Sequence, residues 1–164
     1  MRMLVQCVAN ANVVVDGAVT GEIGKGFLVF LGVSNDDTNE IAEKMVKKLL
    51  GLRVFKDENG KTNLALKDVG GKILVISQFT LYADCRRGNR PGFDRAGKQD
   101  FANSMYEHVL SLIEKETGCV EHGKFGADMK VSLLNDGPFT IWLDSDEICS
   151  GALRKAECQP QQTH

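Results

Sequence analysis

Four short stretches of this chain carry groups that could do chemistry. Ser77-Gln78-Phe79-Thr80 brings two hydroxyls and a carboxamide together directly after an apolar run, Lys72 to Ile76. Either hydroxyl would need an adjacent base to act as a nucleophile. His108 falls within a helical pattern, His122 on or near a strand, and His164 in the polar end of the chain. No GxSxG elbow occurs, so the sequence offers no convincing Ser-His-Asp arrangement. Backbone N–H groups at the same strand end need only geometry to hold an oxyanion. The plainer reading, that Ser77 and Thr80 satisfy backbone groups where a strand ends, stands beside both.

The second stretch is basic. Arg86, Arg87, Arg90, Arg95 and Lys98 crowd one segment against Asp84, Asp94 and Asp100. In a chain of net charge -2 this is either the best phosphate-facing patch or a solvated charged loop. Cys85 beside Arg86 and Arg87 could have a depressed thiol pKa, although a lone loop cysteine is more often inert. The third stretch, Gly123-Lys124-Phe125-Gly126, displays one cation and one aromatic ring, which suits backbone contact with base stacking, or a simple turn. The fourth is Asn135-Asp136-Gly137-Pro138-Phe139-Thr140, with the only Gly-Pro step in the sequence. It reads as a turn, or as a device in which a cis X-Pro peptide turns successive carbonyls to one side.

Composition bounds what these groups can belong to. The 164 residues, 43% hydrophobic and 26% charged, fit one domain that buries a sizeable core. The net charge argues against a polybasic nucleic-acid binder driven by bulk charge but leaves room for a local patch. Cys7, Cys85, Cys119, Cys149 and Cys158 are odd in number and form no CxxC pair, and no HExxH spacing occurs, so neither a disulfide framework nor a metal site is expected. The Met1-Arg2-Met3-Leu4-Val5-Gln6 start lacks the features of a signal peptide, and no apolar run approaches the ~20 residues of a membrane span. The expectation is a cytoplasmic protein with no membrane partner.

The elements that must position these stretches follow from apolar periodicity. Strands are expected at Arg2 to Ala9, in a hairpin from Asn12 to Ile23 turning at Gly17, and at Phe27 to Val33 and Lys72 to Ile76, whose continuous apolar runs suit burial on both faces. Further short strands are expected at Leu52 to Phe55, Met129 to Leu134 and Phe139 to Leu143, the last two bracketing the Gly-Pro step. Asp37-Thr38-Asn39-Glu40 opens a helix whose stripe is Ile41, Met45 and Leu49 with Val46 and Leu50. A second helix runs from about Lys98 to Lys115 and stops at Gly118. These pieces give an α+β fold, a compact single domain (residues 1–150) of mostly antiparallel, layered or barrel-like sheet with two main helices on one side, followed by a polar C-terminal tail, 151–164.

Taken in order and at this spacing, Ser77-Gln78-Phe79-Thr80-Leu81, Gly123-Lys124-Phe125-Gly126-Ala127 and Asn135-Asp136-Gly137-Pro138-Phe139-Thr140 resemble the D-aminoacyl-tRNA deacylase family, over nearly the whole chain from Met1 to about Asp146. The resemblance implies a homodimer with cross-subunit active sites, no cofactor, and aminoacyl-tRNA as the partner, bound by its 3′-terminal adenosine. It places the backbone N–H groups of Phe79 and Thr80 at the ester carbonyl, with Ser77 and Gln78 shaping the pocket and Ala96 and Phe125 against the adenine. It makes Gly137 and Pro138 a cis gate delivered by the partner subunit, whose carbonyls reject L-amino acids. It lets glycyl-tRNA serve as a substrate and has the tRNA 2′-hydroxyl assist hydrolysis. Lys124, Asn135, Arg86, Arg87 and Arg90 are the remaining candidates for substrate or tRNA contact. The chain departs from the family pattern at Gln6-Cys7-Val8, where members usually carry Gln-Arg-Val. That Arg braces the Gly-Pro element, so either another cation does so here or the element is held differently. Two other functions fit the same residues: a chirally relaxed L-alanyl-tRNA deacylase, and a non-catalytic dimeric module that binds nucleic acid through the arginine-rich loop.

Overall fold

A computed structural model describes residues 1–156; residues 157–164, the end of the expected polar tail, lie outside the described residues. The chain runs β1 (Arg2–Val15), β2 (Ala18–Ile23), β3 (Gly26–Gly32), α1 (Asn39–Leu50), β4 (Arg53–Lys56), β5 (Thr62–Ala65), β6 (Lys72–Ser77), α2 (Gln99–Thr117), β7 (Glu121–His122), β8 (Lys130–Asp144) and α3 (Ser145–Ala156). Two single turns of 3-10 helix, Leu66–Val69 and Phe79–Tyr82, come after β5 and β6.

β1 organises the sheet. Along one edge it pairs antiparallel with β8 from Arg2↔Asp144 to Val14↔Lys130. Along the other it pairs with β3 in its first half and β2 in its second, both antiparallel. Beyond β3 the sheet continues in parallel through β6 to β7, while β4 and β5 form a separate hairpin. The far edge curls back. The Glu22 backbone N–H donates to the Glu121 carboxylate at 3.4 Å, and a Cβ on Gly21 would come within 2.9 Å of the His122 carbonyl oxygen. The sheet is therefore a nearly closed barrel.

The continuous apolar runs serve two cores at once, because successive residues of a strand face opposite ways. Phe27, Val29 and Leu31 of β3 with Ile73 and Val75 of β6 pack under α1 and α2. Leu28, Leu74 and Ile76 turn into the curl of the sheet with Val8, Ala11, Val13 and Ile23. Thr38 caps α1, its hydroxyl accepting from the Ile41 N–H at 3.3 Å. α2 buries Ala102, Met105, Tyr106, Val109, Leu110 and Ile113 and ends at Gly118, whose φ of 82° is left-handed.

Three expectations are corrected. The strands read separately at Arg2 to Ala9 and Asn12 to Asp16 are one strand, β1, because β8 pairs along both parts. The runs on either side of the Gly-Pro step are likewise one strand, β8, since both halves bond to β1. A third helix, α3, comes directly after β8; the Asp144 carboxylate accepts from the Asp146 N–H at 3.0 Å, and the Ser145 N–H donates to the Met1 carbonyl at 2.9 Å. The Met1 ammonium is buried between the Asp37 carboxylate and the Ser145 hydroxyl, which lies 2.7 Å away.

Candidate active site

β6 ends at Ser77, and the next residue anchors the chain to its neighbouring strand. The Gln78 N–H donates to the Leu31 carbonyl of β3 at 2.8 Å, after which the backbone tightens into the 3-10 turn Phe79–Tyr82. That turn packs close over Gly32, where a Cβ would stand 3.0 Å from Leu81 Cβ. The first N–H groups of a helical turn have no partner within it. Those of Phe79 and Thr80 find none elsewhere among the described residues. The Gln78 carboxamide donates to the Thr80 hydroxyl, so this hydroxyl is engaged by an amide and not by a base.

A cavity of about 610 Å³ opens beside this strand end, and Ser77, Gln78, Phe79, Ala96 and Phe125 all line it. Ala96 is carried there by a bridge to Ser34 and by the Gly97 N–H, which donates to the Val33 carbonyl at 2.8 Å. Phe125 leans on the Tyr106 ring, with centroids 5.8 Å apart. Phe93, Gln99 and Tyr106 also line the cavity, and no motif in the sequence marks them. Tyr106 and Gln99 lie on α2, whose period reads only as core packing. Phe93 lies within the arginine-rich segment and meets Phe79 edge-on at 4.9 Å.

No strong base faces the cavity among the described residues. The Tyr106 hydroxyl donates to the Val75 carbonyl at 3.1 Å, and burial pushes its pKa above the ordinary phenol range. Asp128, the one carboxylate that lines it, is exposed and paired with Lys130 at 2.8 Å. Neither His108 nor His122 lines the space. Among the described residues no three His, Cys, Asp or Glu side chains gather as a metal site, and no helix is long and apolar enough to cross a membrane.

The other sequence candidates lie away from the cavity lining. Hydrogen bonds between Asp84 and Gly92, at 2.8 and 2.9 Å, close the arginine-rich segment into a projecting loop. Arg86 grips the Asp84 carboxylate at 2.8 and 2.6 Å and holds its pKa below the usual carboxylate range, whereas Arg87, Arg90 and Lys124 are exposed. The Gly-Pro step is an outward excursion of β8. Thr140 pairs with Gln6 and Asn135 with Val8, so the residues from Asp136 to Phe139 stand opposite Cys7 alone. Asp136, Gly137 and Pro138 are exposed, Gly137 has a φ of +126°, and the Gly137–Pro138 peptide is cis.

The excursion is tied down by a carboxamide. Asn135 Nδ2 donates to the Cys7 carbonyl at 3.0 Å and to the Phe139 carbonyl at 3.1 Å, joining both ends of the step to β1. Among the described residues no Lys or Arg hydrogen-bonds this segment. Cys7 is buried, and burial, with the nearby Asp136 carboxylate as the smaller cause, pushes its thiol pKa up to about 11.

The family model for D-Tyr-tRNA(Tyr) deacylase matches residues 4–144. The chain is 50% identical over 148 residues to a D-aminoacyl-tRNA deacylase of Thermotoga petrophila, covering 90% of this chain and 99% of that protein. It is 54% identical over 145 residues to one from Clostridium beijerinckii, covering 88% and 97% respectively. Among solved structures, "c-Myc DNA Unwinding Element Binding Protein" superposes with a TM-score of 0.83 at 41% identity, over 88% of this chain and 98% of that one. A "probable eukaryotic D-amino acid tRNA deacylase" shares the fold, with a TM-score of 0.79 at 17% identity over 87% and 98%.

Proposed function

The chain belongs to the D-Tyr-tRNA(Tyr) deacylase family and is a hydrolase of that kind, and from this premise we propose how its residues act. The ester carbonyl of D-aminoacyl-tRNA sits against the N–H groups of Phe79 and Thr80, with the terminal adenosine in the cavity between Ala96 and Phe125. Water adds to the carbonyl carbon, the two N–H groups hold the developing oxyanion, and the bond to the ribose oxygen breaks. That oxygen takes a proton and leaves as free tRNA, and the D-amino acid departs as its carboxylate. The observation that carries this reading is the pair of N–H groups without acceptors among the described residues, beside a cavity whose one lining carboxylate, Asp128, is paired with Lys130 and leaves no strong base free. With no such base at hand, the tRNA 2′-hydroxyl assists the proton transfer, and the protein contributes position and electrostatics.

Selection against L-amino acids falls to the carbonyls of Gly137 and Pro138, delivered by a second copy of the chain in a homodimer. Two observations support this. The residues protrude from β8 and do not line their own chain's cavity. β8 also exposes Leu134 and Trp142, at 58% and 43%, which a second copy would cover. Glycine, having no side chain to exclude, is accepted. Exposed Arg87, Arg90 and Lys124 meet tRNA phosphates in the cytoplasm, while Arg86 is engaged by Asp84. Asn135 acts as the support of the gate and not as a substrate contact.

The direct test is deacylation of D-Tyr-tRNA beside L-Tyr-tRNA. Release from the D ester with the L ester spared is expected; equal rates on both, or none on D, would overturn the reading. A second reading, a dimeric nucleic-acid-binding module without catalysis, draws on the likeness to the DNA unwinding element binding protein. It predicts RNA affinity with no deacylation of any aminoacyl-tRNA.

A further inference from the structure

The turn Phe79–Tyr82 is held by a residue from the start of the chain. Arg2 Nη1 donates to the Leu81 carbonyl at 2.9 Å, and Arg2 Nε donates to Asp144 Oδ2, also at 2.9 Å. The guanidinium carbon lies 4.5 Å from the centre of the Tyr82 ring and 5.5 Å from that of Trp142. Arg2 opens β1 and Asp144 closes β8 directly opposite it in register, so the clasp fastens the turn to a fixed corner of the sheet. The Arg2 side chain is only 16% exposed, where charge-assisted bonds are little weakened by water. Among the described residues no other side chain hydrogen-bonds the main chain of this turn. The Gln78 N–H and the close approach of Gly32 fix where the turn begins and how near it lies. Arg2 grips its far half.

An oxyanion hole depends on the aim of its donors, and a displacement of about 1 Å can cost ~100-fold in rate. The geometry points to Arg2 as a positioning residue for hydrolysis, setting through Leu81 and Tyr82 the direction in which the Phe79 and Thr80 N–H groups point. This rests on the reading of those N–H groups as the oxyanion hole. Arg2 does not line the cavity, so its contribution acts through the turn. A lysine can supply the charge beside Asp144 but not the planar fork that reaches Leu81 and Asp144 together.

The test compares Arg2→Lys and Arg2→Met in the full chain, on D-Tyr-tRNA, with Phe79→Ala and Phe79→Pro as companions. Proline is accepted at the first position of a helical turn and deletes one N–H, which alanine retains. Phe79→Pro is expected to lower kcat about 100-fold relative to Phe79→Ala. Arg2→Met is expected to lower kcat about tenfold or more with KM within about twofold, and Arg2→Lys to fall between it and the parent. If Phe79→Pro matches Phe79→Ala, the oxyanion-hole reading fails and takes this inference with it. If Phe79→Pro is impaired while both folded Arg2 variants keep kcat, or raise KM alone, the hole stands and the role of Arg2 is overturned. Should Arg2→Met not fold, Arg2→Lys, which keeps a cation beside Asp144, decides on the same kcat and KM criteria.

Discussion

Replacing Asn135 tests whether the Gly-Pro excursion is held by one carboxamide. Asn135→Ala removes donors at 3.0 Å from the Cys7 carbonyl and 3.1 Å from the Phe139 carbonyl. Each bond contributes a net ~1 kcal/mol, and a buried carbonyl left without a partner costs ~1–3 kcal/mol. Cys7 is 5% exposed and faces the gap in the β8 ladder, so its carbonyl has little access to water. The expected loss is about 2–4 kcal/mol, which at roughly 2–4 °C per kcal/mol lowers Tm by about 4–16 °C. Asn135→Asp discriminates further, because it turns a donor between two carbonyl oxygens into a charged acceptor. It should be less stable than Asn135→Ala at neutral pH. Thermal unfolding gives the first readout, and the ratio of D-Tyr-tRNA to L-Tyr-tRNA deacylation gives the second; that ratio should narrow in both variants. A Tm within about 1 °C of the parent for Asn135→Ala, or an Asn135→Asp protein more stable than Asn135→Ala, would refute the reasoning and point to a side chain that accepts from a ligand.

Asp37→Ala strips the buried Met1 ammonium of its carboxylate and the Ser34 N–H of an acceptor at 2.8 Å. Breaking a buried pair costs ~3–5 kcal/mol, read as a shift in the urea midpoint, and Asp37→Asn, which keeps an acceptor for Ser34, should lose less. Cys7 gives a pH test. Its thiol ionises near 9.0 when unperturbed and at about 11 in the fold, so the neutral thiol is favoured by folding. That stability is fully present below about pH 9 and is lost as pH rises toward 11, so Cys7→Ala should flatten the alkaline decline in Tm. In the folded protein at about pH 8, iodoacetamide should label exposed Cys85 and Cys119 but reach buried Cys7 and Cys149 only after unfolding, as mass spectrometry would show.

The sequence makes legible what depends on local pattern. Thr38 and Gly118 mark helix boundaries within a residue or two, and the apolar runs of β3 and β6 announce strands covered on both faces. What it conceals depends on partners distant in the chain. Gly137-Pro138 breaks the local β pattern, so nothing nearby shows that the strand resumes on the same partner; only β1 makes β8 one strand. Tyr106 and Gln99 reach the cavity from a helix whose period announces only packing. Arg2, one charge at the head of an apolar strand, gives no local sign that it grips Leu81. Of the candidate site, five positions (Ser77, Gln78, Phe79, Ala96 and Phe125) meet at one cavity. The Gly-Pro step lies outside it, exposed on β8.

The pairing of β1 with β8 also sets the order in which the molecule can be completed during synthesis. Val14 meets Lys130 and Arg2 meets Asp144, so one whole edge of the first strand made is covered by the last. At about 5–20 residues per second, translation leaves that edge without its partner for on the order of ten seconds. Through that interval Met3, Val5 and Val13, each buried in the finished fold, stand in a strand with one edge open, the arrangement that invites pairing with other chains. The growing chain therefore carries an open edge until β8 is made, and premature termination before β8 leaves a product that cannot close its own sheet.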